Sequence, residues 1–198
     1  GPVLTSVILA DHSEGRVYDL GFDSYRSFCP IFHATFWPGI NKVRVRYIGE
    51  VSNTEAIQDM VYSLALKLGY TSPSPVYSKS TFTHYAASRW TKDFWLGGAP
   101  SDIAINHNLA YLAKTKLVPN YDVSKVVPES IIASEYTTWA NAAKDLYDPG
   151  LWSKAMGNAG GRRDIGPYPA WTVRWLYSGD KRMEKMSFGH ADLAAAWP

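Results

Sequence analysis

The sequence predicts an α+β protein, in which an N-terminal antiparallel β-sandwich or curved sheet is followed by α-helical hairpins. Two observations lead to this prediction. Through residues 1–97 apolar and polar residues tend to alternate, as expected for strands with one face exposed to solvent. Beyond residue 100 apolar residues recur every three or four positions, as on a helix. Gly97-Gly-Ala-Pro100 separates the two patterns, so we predict two domains, residues 1–100 and residues 101–198.

Several segments of the first region have the alternation, or the β-branched and aromatic content, of strands. Pro38 and Gly39 follow one long aromatic segment and predict a type II turn, because proline favours its second position and glycine its third. The predicted strands are residues 3–10, 16–20, 25–37, 43–47, 62–68, 76–82, 84–90 and 91–96.

The second region begins with one more candidate strand, residues 103–105, and continues with helices. One helix is predicted over residues 106–116, and a longer one runs from Pro128 to Asp148-Pro149-Gly150. The last two helices are joined by three residues as a hairpin, with Asp180 as the cap of the second. The residues expected on buried faces are Ile132, Tyr136, Trp139, Ala143 and Leu146 in the longer helix, and Met183, Met186, His190, Leu193 and Trp197 in the last.

The composition is that of a globular protein, with 46% hydrophobic and 19% charged residues and a formal net charge of +2. Basic and acidic residues are spread evenly, so we expect neither nucleic acid nor a membrane as a partner. The unusual feature is the content of 8 Trp and 13 Tyr. Flat rings with a polar edge suit the faces of sugars, so an oligo- or polysaccharide is the expected partner.

The single cysteine, Cys29, excludes an intrachain disulfide bond. The histidines lack metal-ligand spacing, and no phosphate-binding glycine loop or nucleophile motif occurs, so we expect neither a metal nor another cofactor. The chain opens in a strand-like run and closes inside a helical pattern. We therefore expect a piece of a longer exported protein, extracellular or periplasmic, whose further partner is the rest of that chain or a second copy of itself.

The segment from Gly160 to Trp171 is the most informative part of the sequence. Glycines and prolines interrupt it too often for a helix or a strand. Guanidinium groups bind carboxylates through paired hydrogen bonds, and aromatic rings pack on sugar rings, so we predict a ligand site on this loop. The substrate-binding candidates are Arg162, Arg163, Asp164 and Trp171. The alternative is structural: the arginines pair with the aspartate and cap helix ends, while the aromatic rings fill a core.

An enzyme that acts on an acidic sugar by elimination needs a cation for the uronate carboxylate and a base for the neighbouring proton. The two arginines of the loop suit the first role. The candidate bases are Tyr168, His107 and His84. His107 lies between two asparagines at a strand-to-helix junction, where capping is the alternative role. A carboxylate pair for hydrolysis has less support, because capping explains each aspartate of the second region by itself.

Asp164-Ile-Gly-Pro-Tyr-Pro-Ala-Trp171, followed by Trp175-Leu-Tyr-Ser-Gly-Asp180, resembles the loop and helix pair that open the α/α toroid of large secreted bacterial polysaccharide lyases. The resemblance implies a β-sandwich beside such a toroid, of which the helical region is a portion, and a substrate cleft lined by loops at one end. It also implies a carbohydrate-active, lyase-like function on acidic polysaccharide. A non-catalytic carbohydrate-binding module and a structural or assembly module of a larger exported protein stay open as alternatives.

Overall fold

The computed structural model describes residues 4–9, 28–51, 57–69, 71–153 and 162–197. Antiparallel strands come first along the chain and helices follow, which confirms the predicted α+β class. The chain divides into two compact units, residues 1–100 with 196–198, and residues 101–195. We call them the sheet unit and the helical unit. The predicted strand over residues 16–20 lies outside the described residues.

The described strands of the sheet unit form two antiparallel sheets. The larger has the order β1-β2-β3-β6 and the smaller is the hairpin of β4 and β5. The predicted strand over residues 84–90 is wrong, because a turn at residues 85–88 interrupts it. Both the amide and the hydroxyl of Ser88 donate to Tyr85 O, at 3.3 and 2.6 Å, and close that turn. The strands are β1 Leu4–Leu9, β2 Phe28–Trp37, β3 Lys42–Val51, β4 Met60–Leu68, β5 Ser74–His84 and β6 Arg89–Leu96.

The connection between β2 and β3 is a short 3₁₀ turn over Pro38–Ile40, so the predicted type II turn is wrong. A type II turn needs a positive φ at its third residue, which is Gly39 here. In the structure the positive φ falls two residues later, on Asn41 (φ 52°), whose amide donates to Pro38 O at 3.2 Å. Asparagine tolerates this left-handed conformation better than most residues, and it returns the chain into β3.

Aromatic side chains join the two sheets of the sheet unit. Trp90 of β6 is buried between Tyr47 of β3, at 5.0 Å between ring centroids, and Phe82 of β5, at 5.6 Å. Tyr62 of β4 packs in turn on Phe82, at 5.5 Å. Such tilted and edge-to-face pairs add to the burial of large apolar surfaces, so this cluster holds the β4–β5 hairpin on the larger sheet.

The helical unit contains α1 Leu109–Lys114, α2 Glu129–Asn141, α3 Ala170–Ser178 and most of α4 Lys181–Ala196. The predicted strand over residues 103–105 is wrong: Ile103 and Ile105 are exposed and pair with no described strand. The first helix is shorter than predicted because Asn108 caps it, with Oδ1 accepting from Tyr111 N at 3.0 Å.

The longer helix, α2, ends at Asn141, seven residues before Asp148, where the predicted stop begins. Ala142 is already extended (ψ 151°), and the Lys144 ammonium donates to Ala140 O at 2.6 Å, satisfying a carbonyl of the last turn. Ala143 and Leu146 therefore leave the predicted buried face. Its earlier members, Ile132 and Trp139 among them, do pack inward as predicted.

The core of the helical unit lies between α2, α3 and α4. The predicted face of α4 is confirmed from Met183 to Leu193, whereas Trp197 is exposed, contrary to prediction. Asp180 caps α4 as predicted, with Oδ1 accepting from Arg182 N at 2.8 Å. The buried core residues are Ile132, Trp139, Trp171, Met183, Met186 and Leu193.

Gly189 of α4 gives a direct test of this packing. A Cβ at this position would lie 2.4 Å from Cζ2 of Trp139. Alanine favours a helix over glycine by about 1 kcal/mol, but overpacking a core costs about 1–3 kcal/mol. We expect Gly189→Ala to lower the free energy of unfolding, measured by urea titration of the helical circular dichroism. The loss should shrink when Trp139→Phe is introduced as well; an equal loss in both backgrounds would exclude the clash as its cause.

Candidate functional site

The predicted loop, described from residue 162 onward, forms turns that lead into α3. Its first two residues, Gly160 and Gly161, lie outside the described residues. Pro169 begins the helix, with its carbonyl accepting from Thr172 N and Val173 N, each at 3.0 Å. Ala170 N donates to Arg163 O at 2.7 Å and ties the two ends of the loop together. Gly166 has φ +122°, a conformation that L side chains rarely adopt, which explains a glycine there.

Arg162 and Asp164 form an ion pair inside the protein. The guanidinium donates to both carboxylate oxygens, from Nε at 3.0 Å and from Nη2 at 2.6 Å, and Asp164 is only 3% exposed. Asp164 also accepts from Ser153 N at 2.9 Å. The Arg162 hydrogen bonds, followed by that backbone bond, hold the pKa of Asp164 well below its usual range. This arrangement favours the structural alternative for both residues, because the two charges neutralise each other.

Arg163 is placed differently from its neighbour. Its side chain is 52% exposed, and its Nη2 donates to Oε1 of Glu135 on α2 at 2.5 Å. Its guanidinium carbon lies 5.9 Å from the centroid of the Trp171 ring, in the range of a cation–π contact. Arg174 of α3 donates to the same Oε1 of Glu135. Two arginines therefore converge on one oxygen of a carboxylate whose side chain is 10% exposed.

These arginines line an open cleft of about 710 Å³ in the helical unit, which we call the arginine cleft. One wall is the segment 117–128, and the other comprises the predicted loop and one side of α3. Tyr177 fastens the first wall, because its hydroxyl donates to Pro119 O and accepts from Tyr121 N at 3.2 Å. The polar and aromatic lining residues are Tyr121, Asp122, Lys125, Arg162, Arg163, Tyr168, Arg174 and Tyr177.

Two of the predicted loop residues take contrasting places at this cleft. Tyr168 lines it and is 39% exposed, so a ligand in the cleft can reach this residue. Trp171 is buried below, stacked on His190 at 4.1 Å between ring centroids and 13° between planes. Trp171 thus supports Arg163 from the core and offers no face to a sugar, whereas we expected it to bind substrate directly.

His84 belongs to the sheet unit and is fully buried. The hydroxyl of Tyr62 lies 3.0 Å from Nδ1, and the Ser88 carbonyl lies 3.3 Å from Nε2, which assigns a neutral ring that donates from Nε2. Burial lowers the pKa of His84 to about 4. A base must reach its substrate, so this environment favours a role in the core over the predicted catalytic role.

His107 lies in a second, smaller cavity of about 200 Å³, and the described lining of the arginine cleft does not include it. Its ring meets Trp175 edge-on at 5.0 Å between centroids. Its Nε2 is buried without a hydrogen-bond partner among the described residues. Of the three candidate bases, only Tyr168 therefore shares a cavity with the predicted arginines.

Sequence reasoning missed Glu135 and Arg174, which complete the charged part of the cleft. Glu135 lies one helical turn from both Ile132 and Trp139, on the buried face of α2. A carboxylate among core positions needs a cation within reach, because an unpaired buried charge is costly. This signal was present in the sequence, but the identity of the partner was not, since Arg174 is 39 positions away.

Among the described residues no three side chains of the types that ligate metals come together. None of the described helices combines the length and the apolar character of a membrane span. No protein-family model matches this chain, and no match is found among curated proteins or solved structures.

The Arg162–Asp164 pair predicts a large stability effect. Removing one member of a buried ion pair costs about 3–5 kcal/mol, and we expect Asp164→Asn to cost about 2–3 kcal/mol because the Arg162 side chain keeps some access to water. Urea unfolding followed by circular dichroism measures the loss. Asp122→Asn is the matched control, an exposed carboxylate of the same unit, and should change the midpoint little. Equal midpoints for both variants would contradict a structural role of the pair.

His84 predicts a pH dependence in the sheet unit. The folded protein keeps the ring neutral down to about pH 4, whereas the unfolded chain takes up a proton below about pH 6.5. Protonation therefore favours the unfolded state. The free energy of unfolding should fall by about 2–3 kcal/mol as the pH drops from about 6.5 to about 4. The measurement is urea unfolding between these pH values. His84→Gln should give a flatter profile, and an unchanged slope would rule out His84 as the source.

Proposed function

We propose that the helical unit binds an anionic, ring-bearing ligand in the arginine cleft, and that an oligosaccharide with uronate groups is the first candidate. The observation that carries this proposal is the pair Arg163 and Arg174. Both line one cleft, and both share a single carboxylate. The group therefore has two positive charges against one negative charge, and a ligand carboxylate would neutralise the remaining one.

The tyrosines support a ring-bearing ligand. Tyr121 and Tyr168 are exposed at the cleft and come from its two walls. Tyrosine rings pack well against the apolar face of a sugar or another ring, while their hydroxyls bind the polar edge. Arg163 is positioned between the core and this aromatic rim by its contact with Trp171.

A lyase-like reaction is the catalytic form of the same proposal. It would need a base beside the bound carboxylate, and Tyr168 is the candidate base that lines the cleft. In that form Arg163 and Arg174 neutralise the uronate, and Tyr168, as its phenolate, takes the proton from the carbon next to the carboxylate. The freed electron pair forms the double bond of the product as the glycosidic bond breaks, and the leaving oxygen takes a proton from Tyr168 or from water. The non-catalytic form keeps the arginines and gives Tyr168 only a stacking role. Likeness to polysaccharide lyases, a β-sandwich beside an α/α toroid, and export remain predictions from the sequence.

A second candidate ligand is a carboxylate with an apolar body. The apolar part of the lining favours it, because valine and isoleucine side chains offer nothing to sugar hydroxyls. The side chains in question are Val126, Val127, Ile165 and Val173.

Titration calorimetry with an oligogalacturonate and with its methyl ester tests the proposal. The two ligands share rings and length, and differ in the charge of each carboxyl group. We expect the acid to bind and the ester to bind at least about tenfold more weakly, since the ester cannot pair with a guanidinium. Ultraviolet absorbance of the conjugated uronate, recorded in the same samples, reports elimination, and Tyr168→Phe should abolish any rise.

A substitution of Arg163 tests whether the ligand binds in the arginine cleft. Arg163→Ala should weaken binding of the acid at least about tenfold and leave the ester unchanged. The matched control is Arg89→Ala, which removes an arginine of similar exposure (58%) from the sheet unit. Equal binding of acid and ester would contradict the proposal. Binding of phenylbutyrate but of neither saccharide would select the second candidate.

A further inference from the structure

Glu135 binds both Arg163 and Arg174 and so determines the net charge of this group in the arginine cleft. Its Oε1 accepts from Nη2 of Arg163 at 2.5 Å and also from Nη1 of Arg174. Its other oxygen, Oε2, is buried and accepts no hydrogen bond from any described residue. Both guanidiniums thus converge on one atom, and their nitrogens lie no further apart than two hydrogen-bond lengths.

Glu135 contacts the arginines on the side that faces away from the cleft. Arg163 and Arg174 line the cavity, but Glu135 is not among its lining residues and its side chain is 10% exposed. A ligand would therefore meet the arginines without touching the carboxylate. Each guanidinium has five N–H donors, and one of each is used on Glu135, so donors remain for a bound anion.

Each of the other two cations of the lining has an aspartate within three residues along the chain. Arg162 is neutralised by Asp164 at 2.6 Å, and Lys125 is accompanied in the same lining by Asp122. The group of Arg163, Arg174 and Glu135 is the unbalanced one, with a net charge of +1. The buried carboxylate is what keeps that charge from being +2.

We propose that Glu135 lowers the preference of the arginine pair for a doubly charged anionic group relative to a singly charged one. This inference builds on the proposed function and names the ligand chemistry that Glu135 favours: a carboxylate or a monoester of sulfate, relative to a phosphate monoester dianion. The reason is electrostatic. Each unit of ligand charge is repelled by the carboxylate behind the guanidiniums, so the penalty for a dianion is twice that for a monoanion.

Methyl sulfate and sulfate are the probes. They share a tetrahedral sulfur–oxygen head and differ by one negative charge. Their dissociation constants are measured at constant ionic strength by following the arginine Nε–H signals of Arg163 and Arg174 in NMR spectra. The variant is Glu135→Gln, which keeps the shape of the side chain and removes its charge. The matched control is Glu184→Gln, a carboxylate with a similarly buried side chain (13% exposed) that pairs with Lys181 outside the cleft.

We expect Glu135→Gln to raise the preference for sulfate over methyl sulfate about tenfold, as estimated for loss of one charge about 6 Å away at an intermediate dielectric constant. Glu184→Gln should leave the preference unchanged. The ratio of the two dissociation constants is informative even when the substitution moves the arginine side chains, because misplaced arginines would bind both anions more weakly to a similar extent. If the ratio of dissociation constants is the same in Glu135→Gln as in the unchanged protein, the inference is overturned and Glu135 has a purely structural role.

The outcomes separate this inference from the proposed function. If the ratio moves but oligogalacturonate does not bind, the charge selection stands and the saccharide proposal falls. If oligogalacturonate binds through Arg163 and the ratio does not move, the proposed function stands and the role of Glu135 falls. If neither probe shifts either arginine signal in either protein, the arginine pair is not an anion site and both fall.

Discussion

The structure of the helical unit depends on one stack of rings centred on His190. Trp171 of α3 stacks on this histidine at 4.1 Å, and Trp139 of α2 meets its ring at 4.3 Å. Leu151 N donates to Nε2 at 3.0 Å, so Nδ1 carries the proton, 2.8 Å from Met186 O. Burial lowers the pKa of His190, and the hydrogen bond from Leu151 N requires an unprotonated Nε2, so the ring is neutral. Three helices and a loop therefore meet at a single imidazole.

The cleft is built on this stack. Trp171 lies beneath Arg163, and the loop that carries Arg163 is fixed a second time where Asp164 binds Ser153 N next to the Leu151 contact. The opposite wall is held by the Tyr177 hydroxyl from α3. Polar groups on rigidly held loops are well suited to binding, because little conformational entropy is lost when the ligand arrives. Buried charges and stacked aromatic rings together account for the position of both arginines.

Adjacent residues of the same type can differ completely in role. Arg162 and Arg163 are indistinguishable to sequence patterns, but one is neutralised by Asp164 inside the protein and the other is half exposed over Trp171. The structural alternative is therefore favoured for Arg162, whereas the ligand role of Arg163 stays a prediction that its exposure permits. The same holds for the candidate bases: Tyr168 lies in the cleft with the arginines, whereas His107 lines a separate cavity and His84 is sealed in an aromatic core.

The sequence by itself determined the features that depend on near neighbours along the chain. The period of its apolar residues gave the sheet-then-helix order, and the spacing in α4 gave the buried face from Met183 to Leu193. Glycine and proline in the loop marked it as irregular. Tertiary structure decided what depends on distant partners: the end of α2 at Asn141, the burial of Trp171, and the meeting of Glu135 with Arg163 and Arg174. Side-chain charge and period are local properties, but burial and pairing exist only after distant segments have packed together.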